Sequence, residues 1–272
     1  QLKQAGDNHD GMDFFAFEGE TDRGLLVMNH EYVNPPLHPG NLIDQSKPRP
    51  LNEVRKEQAA HGVSVIEVQK GADGQWQRVM DSPYNRRISA LTAMRIAGPL
   101  AGHALMQTVA DPSGREVLGT INNCASGYTP WGTYLTCEEN WDNFFMNSGA
   151  MTPDHTRNGI TAKGRGYRWH EFDERFDAGK HPNEPNRFGW IVEIDPQNPN
   201  ATPIKRTAMG RGAHEGATVA VTKDNRAVVY MGEDARFEYI YKFVSRDTIK
   251  SGGAAANATL LDHGTLYVAK FN

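Results

Sequence analysis

Along this chain apolar residues recur at every second position far more often than at helical spacing, which predicts strands rather than helices. Alternating runs cover Met12 to Phe17, Leu25 to His30, Gly62 to Val68 and Tyr134 to Glu138. They recur over Gly189 to Ile194, Ala217 to Val221, Ala227 to Met231, Tyr239 to Val244 and Leu266 to Phe271. One short helix is expected near Asn52 to His61, where Glu53, Arg55, Lys56 and Glu57 offer a solvated face. Turns such as Ala72-Asp73-Gly74 and Asp195-Pro196-Gln197-Asn198-Pro199 punctuate the runs. The fold class read from this is all-β.

The richest stretch runs from Asn122 to Asn140, where Cys124 opens a Gly/Ser/Pro loop and a strand ends on Glu138 and Glu139. Strand alternation puts Leu135, Cys137 and Glu139 on one face, with Tyr134, Thr136 and Glu138 on the other. The same design occurs twice more. Asp10 begins one hairpin whose second strand ends at Glu31, and Glu215 begins another that ends at Asp234. In a hairpin, the start of one strand and the end of the next share an edge. Three such hairpins gather Asp10, Glu31, Cys124, Glu139, Glu215 and Asp234 at one rim.

Hairpins followed by further strands and repeated radially build a β-propeller, whose innermost strands line a central channel. We therefore expect residues 1–272 to form a single propeller domain, or its major part, with long inserted loops at Pro35 to Pro50 and Asn140 to Asn186. Loops of that length are commonly lids or decorations. A β-sandwich explains acids at equivalent strand ends less readily. The chain begins at Gln1 without an initiator Met and stops as a strand-like run ends, so a fragment truncated at both ends is expected.

Composition narrows the function classes. A net charge of -4 over 272 residues gives no support for nucleic-acid binding. No apolar run approaches the roughly 20 residues needed to span a bilayer. Clustered carboxylates repel one another and take up protons unless cations neutralise them. Hard oxygens suit calcium, whereas a thiolate suits iron or zinc. The two cysteines, Cys124 and Cys137, allow a disulfide, a ligand with a bystander, or two buried thiols. His9, His30 and His214 each neighbour a candidate acid, as ligands, anion donors, partners of the ligands or turn caps. His103 follows a Gly/Pro loop, and Arg211 or Arg236 can clamp an anion. Trp131 and Trp190 read as packing aromatics.

Several segments together resemble the PhoX-type alkaline phosphatase family. They are Gly6 to Gly11, Met28 to Tyr32, Gly98 to Gly102, Asn123 to Glu139, Ala213 to Gly216 and Gly232 to Arg236. The resemblance implies a propeller of about six blades, an iron–calcium cofactor (Fe3+ and Ca2+) and hydrolysis of phosphomonoesters. It also implies twin-arginine export to the periplasm or the extracellular space, and a monomer acting on small phosphoesters. By motif, Cys124 and Glu215 would hold iron, while Glu139 and Asp234 would serve the calcium/iron cluster. Glu31 and Asp10 rest mainly on the hairpin repeat, and Cys137 becomes a strand residue. His214, Arg211 and His103 are the candidates for stabilising charge that develops on a phosphoryl group. Family members are longer, so part of the site is expected beyond Asn272. Two alternatives stand: a calcium-dependent propeller lactonase or phytase, and a non-catalytic, metal-stabilised propeller fragment.

Overall fold

Three antiparallel-dominated sheets carry the fold, in a computed structural model that describes residues 4–34 and 46–271. Most of the insertion expected at 35–50 lies outside the described residues. The first sheet contains β1 (His9–Ala16), β2 (Arg23–His30), β3 (Gly62–Lys70), β4 (Trp76–Arg78) and β5 (Arg86–Ile88), in the order β1-β2-β3-β4 with β5 also on β3. The second contains β6 (Ala93–Ala97), β7 (Glu116–Leu118), β8 (Asn123–Tyr128), β9 (Tyr134–Glu138), β10 (Ile191–Ile194) and β11 (Ile204–Arg206), in the order β7-β6-β11-β10-β9-β8. The third is a meander of β12 (Thr218–Val221), β13 (Arg226–Met231), β14 (Tyr241–Thr248) and β15 (Gly264–Val268). Pairing is antiparallel except between β11 and β6. The β-rich class read from the alternation is what the chain adopts.

The expected helix is α1 (Leu51–Ala60), with Pro50 as its N-cap and Glu53 in the first turn. Its inward residues include Val54, Gln58 and Ala59, and Arg49 pairs with buried Glu57 at 2.6 Å. Short strands β4 to β7 and β11 escaped the sequence reading; all but β6 are three residues long, too few to show a period.

Two apolar cores lie on either side of the second sheet. Every residue of β9 is buried: Tyr134 enters one core, while Leu135 and Cys137 enter the other. A strand covered on both faces reads as a mixed run, since polar Thr136 and Glu138 need buried partners. Trp131 and Trp190 are buried, one in each core.

The insertion at 140–186 is not a loose lid. It carries the short helix α2 (Pro153–Arg157) and brings Trp141, Phe144, Phe145, Trp169 and Phe176 into the first core. Phe144 stacks on Tyr167 with ring centroids 4.2 Å apart, and the Trp169 indole donates to Glu57 at 2.9 Å. Burying one such aromatic contributes about 1.5–3 kcal/mol, so five of them fix the segment against α1 and the sheets.

Candidate metal centre

The three hairpins predicted from sequence form, and they share one backbone device. In β1–β2 the register runs from His9↔His30 to Met12↔Met28, so Asp10 and Gly11 on the first strand face Asn29 alone on the second. In β8–β9 it runs from Asn123↔Glu138 to Ser126↔Thr136, the same one-residue excess. In the third hairpin the bridge His214↔Glu233 precedes Thr218↔Tyr230, again one residue extra on the first strand. Each excess falls on or just after a candidate ligand: Asp10, Cys124 or Glu215. A bulge takes its residue out of strict alternation and re-aims the side chain.

The second member of each pair is held equivalently. Glu31 N–H donates to Asn8 O at 3.1 Å, Glu139 N–H to Asn122 O at 3.0 Å, and Asp234 N–H to Ala213 O at 3.0 Å. Asn8 and Asn122 sit at φ of 45° and 50°, a left-handed conformation that asparagine tolerates better than most residues. Their side chains tie down the residue that follows each acid, Asn8 Nδ2 donating to Tyr32 O at 2.9 Å and Asn140 N–H donating to Asn122 Oδ1 at 2.5 Å.

Glycines let the hairpins meet at these bulges. A Cβ on Gly11 would lie 2.7 Å from Ser126 N, and one on Gly127 would lie 1.9 Å from Ala217 O. The first position docks β1 on β8, and the second docks β8 on the start of β12. Backbone bonding joins the second and third hairpins as well, through His214 N–H to Glu138 O at 3.0 Å.

All six rim residues converge. Donor atoms of Asp10, Glu31 and Cys124 lie within 4.8 Å of one another, as do those of Cys124, Glu139 and Glu215. Cys124 therefore joins two groups, with its Sγ 3.8 Å from Glu215 Oε1. Asp234 is within hydrogen-bonding reach of Glu139 and Glu215, and Glu31 within reach of Asp10 and Glu139. Cys124 and Glu139 are buried, Asp10 and Glu31 are half-buried, and Glu215 and Asp234 open to solvent.

Electrostatically the cluster is under strain as a bare set of acids. Burial, then hydrogen bonding to Asp234, raises the Glu139 carboxyl to about 8. Glu31 is pushed up by burial and by Asp10, and Glu215 by burial and by Asp234. Burial and the carboxylates of Glu139, Asp10 and Glu31 push the Cys124 thiol far above its usual range. Among the described residues, none of the five acids forms an ion pair with Lys, Arg or His, whereas Glu138 next door is paired with Lys205 at 2.7 Å. A donor set of five carboxylates and one thiol, without a protein cation, fits bound metal ions.

The candidates for charge stabilisation fare differently. Arg211 lines a cavity of about 410 Å³ beside the cluster, together with Glu139, Asp234, Asp142 and Arg157. Its guanidinium lies 4.3 Å over Trp141 and donates to Phe188 O and Pro185 O. His214 is buried, and its Nε2–H donates to Gly210 O at 3.0 Å. Burial lowers it to about 4, so it stays neutral and turned from the rim. His103 is also not brought to the cluster. It is exposed and caps the short turn Ala104–Met106, its Nδ1 accepting from Leu105 N–H at 3.2 Å. Cys137 is a free buried thiol in the second core, and Cys124 is free too. Arg157, which pairs with Glu238 across the cavity, was missed because nothing in the insertion's sequence marks one arginine among several.

A β-rich protein with a carboxylate–thiol centre at the convergence of three hairpins is thus the class that fold and site define. The family model for alkaline phosphatase PhoX matches residues 1–272, and the chain belongs to that family. It is similar to a solved structure of Pseudomonas fluorescens PhoX in complex with vanadate, a transition state analogue, with 55% sequence identity and a TM-score of 0.94. That match covers 100% of this chain and 47% of the other, so the chain spans about half the length of that PhoX. No curated protein matches it.

Proposed function

We propose that this chain carries the metal-holding part of a phosphomonoesterase that releases phosphate from small organic phosphoesters. The observation behind this reading is the convergence of five acids and a thiol that, among the described residues, pair with no Lys, Arg or His, in a member of the PhoX family. In this reading Cys124 and Glu215 would hold iron, while Glu139, Asp234, Glu31 and Asp10 would provide oxygen donors for the calcium/iron cluster. Such ions, when bound, neutralise phosphoryl oxygens and polarise the reacting centre.

The chain's own residues do the rest. The three bulged hairpins hold the donors in fixed relative positions, so little reorganisation accompanies metal binding. Arg211 and Arg157 bring positive charge to the cavity beside Glu139 and Asp234, where an anionic phosphoryl group would sit against them. Asp142 and Glu233 line the same cavity and favour small neutral leaving groups over polyanionic ones. The three sheets belong, in this reading, to one propeller domain that acts as a monomer after export to the periplasm or beyond. No helix among the described residues is long and apolar enough to cross a membrane.

The test is a phosphomonoesterase assay with p-nitrophenyl phosphate, run on the full-length protein as purified, after chelation, and after readdition of iron and calcium. Turnover that falls on chelation and returns with both metals supports the reading. Turnover indifferent to chelation, or restored by calcium alone, contradicts the iron–calcium assignment.

A further inference from the structure

The ligand-bearing bulges of the first two hairpins are joined through a buried polar chain that contains none of the candidate ligands. At its centre is Asn29, which is fully buried on β2 directly opposite the Asp10–Gly11 bulge. Its Nδ2 donates to Cys124 O at 2.6 Å and to Ala125 O at 3.0 Å, the two carbonyls of the second bulge. Its Oδ1 accepts from the Thr136 hydroxyl at 2.9 Å and lies 2.9 Å from the Tyr134 hydroxyl. That same Tyr134 hydroxyl reaches Gly11 O, in the first bulge, at 2.8 Å. The amide orientation is unambiguous, since only the NH2 group can face two carbonyls.

The chain continues inward. Thr136 accepts from Asn123 Nδ2 at 3.0 Å, Asn123 Nδ2 also donates to Thr120 at 2.8 Å, and Thr120 donates to Glu138 at 2.8 Å. Glu138 is then held by Lys205. Asn29, Thr120, Asn123, Tyr134, Thr136, Glu138 and Lys205 are all fully buried.

A bulge is the least constrained part of a strand pair, because the extra residue leaves ladder carbonyls unpaired. Here those carbonyls are used. Cys124 O and Ala125 O are both clamped by one rigid side chain from the neighbouring hairpin, and the Tyr134 hydroxyl shares its one proton between Gly11 O and Asn29 Oδ1. We infer that Asn29, with Tyr134, is a positioning residue. It sets the Cys124 thiol at a fixed distance and orientation from Asp10 and Glu31, and so fixes the spacing of the two donor groups that Cys124 joins. This rests on the metal-centre reading, and concerns residues that would touch neither metal nor substrate. Groups that orient metal ligands from behind typically change metal affinity by about 10–100-fold when removed.

The experiment separates positioning from mere folding. Full-length protein loaded with iron and calcium is titrated with EDTA, and retained metal is read by element-resolved mass spectrometry. The metal-stripped form of each variant is melted in parallel. Tyr134→Phe removes one hydroxyl and keeps the ring, so its stripped protein should melt close to the wild type. It should nevertheless release half its metal at roughly tenfold lower EDTA. Asn29→Asp replaces the NH2 that faces both carbonyls with one repulsive oxygen and should lose metal at still lower EDTA; Asn29→Gln should not match the wild-type value. Tyr134→Phe retaining metal like the wild type would overturn the positioning role, as would a fall in stripped-protein melting temperature with unchanged retention. Wild-type protein that holds no metal would overturn the metal-centre reading and this inference with it.

Discussion

Glu138 and Glu139 are neighbours in sequence and opposites in environment. Glu138 is fully buried and completely partnered: it accepts from Lys205 Nζ at 2.7 Å, Thr120 at 2.8 Å, Gly189 N–H at 2.9 Å and Trp190 N–H at 3.1 Å. Glu139 is buried too but lines the cavity, and it faces Cys124, Glu31, Glu215 and Asp234 with no cation among them. One buried acid is satisfied by the protein, and the other, in the reading proposed above, is left for a bound metal ion. The strand alternation that separates them explains how a single Glu-Glu pair serves both purposes. Its first member anchors the end of β9, and its second is presented to the rim.

The largest way to break this contrast is at the anchor. Glu138→Ala leaves the Lys205 ammonium buried without its carboxylate, and Lys205 is already depressed to about 8 by burial. Losing one partner of a buried pair costs about 3–5 kcal/mol. Chemical denaturation of the metal-free protein should therefore show a large loss of stability for Glu138→Ala. Glu139→Gln, which replaces a buried carboxyl that the protein does not pair, should leave the metal-free protein as stable as the wild type or more so.

On the other side of the contrast, bound metal should stabilise what the bare acids do not. Metal at a hundred times its Kd raises stability by about 2.7 kcal/mol. Cys124→Ala removes the donor common to both groups, and we expect it to lose most of that increment in thermal melts with and without iron and calcium. Its metal-free melting temperature should change much less. A Cys124→Ala variant of the full-length protein that keeps its iron would sink the assignment.

A third expectation follows from the raised Glu139 carboxyl, about 8 when folded against an ordinary 4.5. Between those values the folded protein still holds a proton that the unfolded chain has released, so metal-free stability falls as pH rises across that window. Melting curves in chelator should show this decline, and Glu139→Gln should flatten it. The smallest effect belongs to His103. As a turn cap outside the cluster, His103→Ala should cost about 1 kcal/mol or less, with metal content and turnover unchanged.

Much of this was legible in the sequence. Most strands of four to nine residues announced themselves by alternation, and α1 by its charged face. Acids and a cysteine at matching hairpin ends pointed to one rim, because hairpin geometry leaves little freedom in where such ends meet. What escaped has physical reasons. The bulges at Asp10, Cys124 and Glu215 are register shifts, and a one-residue excess leaves no compositional trace. Asn29, at the end of an apolar run, read as a polar strand residue, since its four contacts depend on a neighbouring hairpin. His214 looked like a rim donor by its place before Glu215. Strand alternation instead sends it inward to Gly210 O. The 140–186 insertion read as a lid or a decoration, although its aromatics form a large share of the first core.

The most direct test of the central claim is element-resolved mass spectrometry of the full-length protein, purified without chelator, with intact mass taken on the same sample. The account predicts iron together with calcium, both lost in Cys124→Ala. Calcium without iron would contradict the role given to the thiol, and the absence of any tightly bound metal would contradict the centre itself.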